Sequence, residues 1–292
     1  MSIWNDLSWI ESIRTPALSL FFENISLAGY PTFLILFISF GYFYWSPSRF
    51  SRIAMMLFIS GLINGFLKDY FQDPRPMIEL MLDPKVGTSY GWPSGHAQIA
   101  VTLWGLIAYE LKDIKITIGA GLLIFLIAFS RMYLGVHDLG DVVSGLIIGF
   151  IILAIWHLAV IHEVYKSIST KSWIIVIAAF QLLIYYFYPV HEGHEANVWF
   201  LGVMMGWFIG VSKIHLNSGS IKKLLLSLVS IVIVFFGMIS ISRIEASIEI
   251  TGLLGIIYSY SLGLIFSIFV TWIIPRFWRL FNLASLKPKI TQ

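Results

Sequence analysis

Val142–Ile161 reads VVSGLIIGFIILAIWHLAVI, twenty residues without an Asp, Glu, Lys or Arg. Such a run has no charged face to turn toward water. As a helix rising 1.5 Å per residue it extends about 30 Å, the thickness of a bilayer's hydrocarbon core. Working outward, similar apolar runs cover Tyr30–Trp45, Ile53–Leu67, His96–Tyr109, Ile116–Ser130, Trp173–Tyr188, Asn197–Ser212, Leu224–Ile241 and Ile250–Ile274. The expected fold is therefore all-α, a polytopic transmembrane helix bundle of about nine spans. Ser2–Ser26 differs: Trp4, Trp9, Ile10 and Ile13 alternate with Asp6, Glu11, Arg14 and Glu23 around Pro16. It reads as amphipathic pieces lying in the membrane interface. The expected layout is one membrane domain over 1–292, with an interfacial segment over 1–28.

Composition agrees. The chain of 292 residues is 58% hydrophobic and only 12% charged, against about 25% charged in soluble domains, and its mean hydropathy is +0.84. A net charge of +3 is too small to point to nucleic acid. The absence of cysteine removes disulfides and thiolate metal ligands. Met1–Arg14 has no basic start and reads as no secretory signal peptide.

Under the nine-span reading, thirteen of the nineteen Lys and Arg residues fall on one membrane face, beside only Glu110, Asp113 and Glu163. That face is expected to be cytoplasmic, which puts the N-terminus outside and the C-terminus inside.

Three of the six remaining basic residues sit at the outer ends of spans, inside polar clusters. These read Lys68-Asp69-Tyr70-Phe71-Gln72-Asp73-Pro74-Arg75-Pro76, Pro93-Ser94-Gly95-His96, and Ser130-Arg131 followed by His137 and Gly140-Asp141. The topology brings all three to one face. Two guanidiniums and an ammonium suit the charge of a phosphate. Ser94 and Gly95 precede a helix whose first N–H groups are expected to be free to bind an anion. His137 and Asp141, four apart, share a helix face, so the carboxylate orients one ring nitrogen and leaves the other to attack phosphorus. His96 is placed to protonate the leaving alkoxide and then activate water.

These clusters resemble the signature of the type 2 phosphatidic acid phosphatase (PAP2) superfamily: Lys, six residues, Arg-Pro; Pro-Ser-Gly-His; Ser-Arg, five residues, His, three residues, Asp. The resemblance implies His137 as nucleophile, Asp141 as its partner and His96 as general acid. It also implies a phosphate cradle of Lys68, Arg75, Ser94, Gly95 and Arg131, with no metal and no cofactor. The implied catalytic core covers 30–162, and 172–275 form a four-span extension. Six-span members have two spans before the one that ends in the Lys motif; here one clear span precedes it, the N-terminus is outside and four further spans follow the third motif, an arrangement similar to the glucose-6-phosphatase and sphingosine-phosphate phosphatase branches.

The expected function is hydrolysis of a lipid phosphate monoester or pyrophosphate at the extracytoplasmic face, with the bilayer and a lipid phosphate as partners and the oligomeric state left open. Met77–Trp92, rich in Met, Leu and aromatics, is expected either to wall the lipid's path or only to anchor the loop. The alternatives are a phosphatase of a soluble sugar phosphate and a non-catalytic transporter or scaffold. His157 reads as a helix-packing residue, and His191-Glu192-Gly193-His194-Glu195 as a solvated loop. Gly202, Gly206 and Gly210 read as a close-packing stripe.

Overall fold

The computed structural model describes residues 6–162, 170–187, 194–211, 214–216, 221–247, 252–281 and 284–286. Eleven of its helices carry the fold: α1 (Ser8–Ile13), α2 (Pro16–Ser26), α3 (Pro31–Phe40), α4 (Pro47–Phe71), α5 (Gly95–Leu111), α6 (Ile114–Tyr133), α7 (Leu139–Ile161), α8 (Thr170–Phe187), α9 (His194–Gly210), α10 (Ile221–Ser247) and α11 (Gly252–Ile268). Two three-residue strands, β1 (Ile214–Leu216) and β2 (Ala284–Leu286), pair antiparallel. The helix starts follow local chemistry. Pro16, Pro31 and Pro47 open α2, α3 and α4, where a missing N–H costs nothing. The side chains of Asp113 and Asp138 cap α6 and α7.

Apart from Tyr30, the described residues of all nine apolar runs lie on helices. Five helical stretches among the described residues are long and apolar enough to cross a membrane: Pro47–Phe71, Ile114–Tyr133, Leu139–Ile161, Ile221–Ile244 and Gly252–Leu280. A sixth would be the pair Pro16–Gly29 and Pro31–Trp45, bent by 60°. This is a multi-pass membrane protein, and among the described residues helix length and apolarity supply five or six crossings where the sequence led us to expect nine. The difference lies in short helices such as α5, whose 17 residues span about 25 Å.

The chain divides into two compact units, residues 1–34 with 59–168, and residues 35–58 with 169–292. All three motifs lie in the first. At its centre α5 packs against α6 and α7. A Cβ on Gly149 would come within 2.6 Å of Val101 Cβ and 2.8 Å of Gln98 O, and one on Gly145 would strike Ser94 O. The missing side chains let α7 lie against the start of α5. A buried polar ladder ties α4 to α5: Gln98 Nε2 donates to Ser60 O at 2.8 Å and accepts at Oε1 from Asn64 Nδ2 at 2.9 Å. The N-terminal segment docks on this unit through Leu7, Ile10 and Phe22, while Trp9, Leu18, Leu20 and Phe21 stay exposed.

In the second unit Gly202 and Gly206 of α9 meet the α11 backbone around Leu264, and Gly210 meets Thr271 just beyond α11. That is the close packing expected of the stripe. His157 bonds Tyr109 Oη through Nδ1 at 3.0 Å, joining α7 to α5. Residues 191–193 lie outside the described residues, as do the side chains of His194 and Glu195.

Candidate active site

The α5–α7 contact sets the centre of the site. Asp138 caps α7 by accepting from Asp141 N at 2.9 Å, so Asp141 sits in the first turn. His137, just before that helix, reaches forward: Nδ1 lies 2.9 Å from Asp141 Oδ2, and both side chains are almost fully buried. The carboxylate accepts the Nδ1 proton, which leaves Nε2 with its lone pair as the acceptor. That nitrogen faces Arg75 Nη1 at 3.2 Å. Burial, with the charges of Lys68, Arg75 and Arg131, holds the His137 imidazole well below its ordinary value of 6.5 and so keeps it neutral.

Arg75 is placed by the loop between the first two motifs. Its Nε donates to Ser89 O at 2.6 Å, Nη2 to Ser89 Oγ at 2.7 Å and Nη1 to Val136 O at 2.8 Å. Burial and the neighbouring Arg131 pull it down to about 10, which leaves it charged at neutral pH. Lys68, in the last turn of α4, donates to Tyr90 O and Gly91 O. A Cβ on Gly91 would come within 3.2 Å of Asp141 Oδ2, so that loop passes directly beside the His137–Asp141 pair.

Arg131, at the end of α6, is fully buried. Its Nη1 donates to Ser26 Oγ and to Asp83 Oδ2, the latter at 3.0 Å. Nε and Nη2 are buried without hydrogen-bond partners among the described residues. Ser94 Oγ and His96 Nε2 are in the same condition. Buried polar atoms seldom go unsatisfied. Here four of them come from the second and third motifs, and they offer the donors and acceptor that a bound phosphoryl group requires.

Two expectations are corrected: His137 stands ahead of α7 and reaches Asp141 from outside the helix, so the two do not share a helix face, and an expected free amide is taken. The Ser94 backbone N–H is not free, because it donates to Asp141 O at 3.0 Å. The close α5–α7 packing uses that amide to join the two motifs, so Ser94 presents its hydroxyl instead.

The structure bonds Arg75, His137, Asp141 and Ser94 into one chain, with Lys68 at its edge. Gly95 lets α5 approach α4, where a Cβ would lie 2.8 Å from Asn64 Oδ1. His96 and Arg131 are joined through residues that the sequence reading passed over. Tyr30 packs its ring edge-on to His96, with centroids 4.6 Å apart, and donates its hydroxyl to Asp83. Burial pushes the Asp83 carboxyl up, but the Tyr30 hydroxyl and Arg131 overcome that and hold it below its usual value. Nothing in the local sequence marks Ser26, Tyr30 or Asp83, which stand apart from the motifs.

The chain has relatives among known proteins. The family model of the PAP2 superfamily matches residues 50–165. Phosphatidylglycerophosphatase B of Bacillus subtilis is 30% identical over 153 residues, covering 48% of this chain and 74% of that protein. Lipid phosphate phosphatase delta of Arabidopsis thaliana is 30% identical over 234 residues, covering 70% of this chain and 55% of that protein. A dihydrosphingosine 1-phosphate phosphatase of Schizosaccharomyces pombe is 29% identical over 238 residues, 71% of this chain and 57% of that protein. The chain belongs to the PAP2 superfamily. It spans little more than half the length of the last two relatives.

Proposed function

We propose that the protein hydrolyses a lipid phosphate ester through a phosphohistidine on His137. The observation that carries this reading is the Asp141–His137 pair with its Nε2 lone pair facing Arg75. In the first step Nε2 attacks phosphorus, the N–P bond forms, and the P–O bond to the lipid alkoxide breaks. His96, which takes up a proton as the phosphate dianion offsets the charges of the three cations, gives that proton to the alkoxide. Neutral His96 then takes a proton from water, the resulting hydroxide attacks phosphorus, the N–P bond breaks and phosphate leaves. Lys68, Arg75, Arg131 and the Ser94 hydroxyl stabilise charge on the phosphoryl oxygens throughout.

The binding side is built of cations, which supports a mechanism independent of metal. Among the described residues no three His, Asp or Glu side chains come together as ligands. The lipid choice is supported by Met77, Ile78 and Leu82, which are exposed beside the Arg75 loop, and by relatives named for lipid phosphates. The same loop is also anchored, since Leu80 packs with Leu7 and Ile10.

Rapid quenching of purified protein with radiolabelled phosphatidate should trap label on the protein that is acid-labile and base-stable. His137→Ala should trap none. Label retained in His137→Ala would overturn the mechanism.

A further inference from the structure

We propose that Tyr30 is a positioning residue of this site, its ring holding the His96 imidazole and its hydroxyl holding Arg131 by way of Asp83. The inference rests on the phosphatase reading above and extends it to a residue outside 50–165, the span that the family model matches.

Four observations converge on Tyr30. Its ring stands edge-on to His96 at 83°, with centroids 4.6 Å apart. Gly29 lies against the same imidazole, with no room there even for a Cβ. The Tyr30 hydroxyl donates to Asp83 Oδ2 at 2.5 Å, and that oxygen also accepts from Arg131 Nη1 at 3.0 Å. The Arg131 guanidinium lies 5.9 Å from the Tyr30 ring centroid. The other Asp83 oxygen takes the Lys85 amide at 3.2 Å, so both oxygens of the buried carboxylate are occupied. The outcome is an arginine tethered by one nitrogen, whose Nε and Nη2 stay buried and unpaired among the described residues. A fork fixed in this way loses little freedom on binding phosphate. Without the Tyr30 hydroxyl, Asp83 keeps its charge but loses one of its constraints, and Arg131 is free to make a second bond to it.

The test uses the full-length protein in mixed micelles. Tyr30→Phe keeps the ring and removes the hydroxyl. It should raise KM for phosphatidate, and the inhibition constant of inorganic phosphate, about tenfold, with kcat nearly unchanged. Tyr30→Leu removes the ring as well. It should also lower kcat and shift the alkaline limb of its pH profile, because His96 is the proton donor. In an Asp83→Asn background, Tyr30→Phe should add little, as expected of one coupled unit. Wild-type KM, phosphate inhibition and pH profile in both Tyr30 variants would overturn the proposal. A fall in kcat and melting temperature with KM and phosphate inhibition unchanged would do the same, by showing a purely structural role. His137→Ala serves as the control for the underlying reading. If it keeps full activity, the phosphatase mechanism fails whatever the Tyr30 variants show. If it is inactive, the Tyr30 variants judge the positioning role alone.

Discussion

At the scale of the residue, the proposed chemistry depends on His137 staying neutral. The neutral ring carries the lone pair that attacks, and protonation removes it. Because burial and three cations depress its pKa, activity should be lost only as pH falls well below 6.5. The acid limb of kcat/KM, corrected for the second ionisation of the phosphate at about pH 6, should lie below that value. Asp141→Asn should cost roughly 10²–10⁴-fold in kcat, the range of a positioned proton-transfer group, with KM little changed. The loss follows because an amide does not hold the Nδ1 proton as a carboxylate does. A steady-state comparison with His137→Ala checks this, and near-normal turnover in Asp141→Asn would deny the carboxylate its orienting role. His137, Asp141, Arg75 and Lys68 were legible as candidates in the sequence because their spacing is local. The use of the Ser94 hydroxyl in place of its amide was not, because that amide is claimed by Asp141 on a helix far along the chain.

At the scale of the element, the pairing of α5 with α7 governs the site. Gly145 lies where a side chain would meet Ser94, and Gly149 where it would meet Val101. Gly149→Val should destabilise the protein by about 1–3 kcal/mol through overpacking, read as a lower melting temperature in detergent. Gly145→Ala, closer to Ser94, should lower kcat more than it lowers stability. If Gly145→Ala leaves kcat untouched, the α5–α7 spacing does not tune the catalytic geometry. The helices themselves were legible from apolar length, and apart from Tyr30 the described residues of every predicted run are helical. Their value as crossings was less so, because α5 is short and carries Gln98 and Thr102 fully buried. Those polar side chains are tolerated because partners on α4 satisfy them.

At the scale of the whole molecule, two predictions concern the membrane. The distribution of basic residues argues for motifs on the outer face. Cysteine introduced at the exposed Glu79 should react with an impermeant reagent in intact cells, and cysteine at Arg49, exposed at the other end of α4, only after permeabilisation. The reverse pattern would move the site to the cytoplasmic face. Activity should survive EDTA and be inhibited by vanadate, which mimics five-coordinate phosphorus. Restoration of EDTA-treated protein by a divalent ion would contradict the all-cation cradle. For a lipid substrate, kcat/KM in mixed micelles at fixed surface dilution should rise with acyl length. The limit is about 0.8 kcal/mol for each methylene buried. A flat series, with glucose 6-phosphate turned over equally well, would favour the soluble alternative.

The sequence by itself determined the membrane class and the candidate catalytic set, since apolar run length and motif spacing are properties of neighbouring residues. Tertiary structure alone decided how Arg131 is held. Its partners Asp83 and Ser26 lie 48 and 105 residues away, and no local pattern encodes a contact over such distances. A buried guanidinium must find its counter-charge wherever the fold brings one. Tertiary structure also decided that residues 35–58 group with the C-terminal helices, although they lie within the range read from the motifs as one core. Hydropathy reports that a helix is buried in something apolar, but helix and lipid are equally apolar neighbours, and only packing tells them apart.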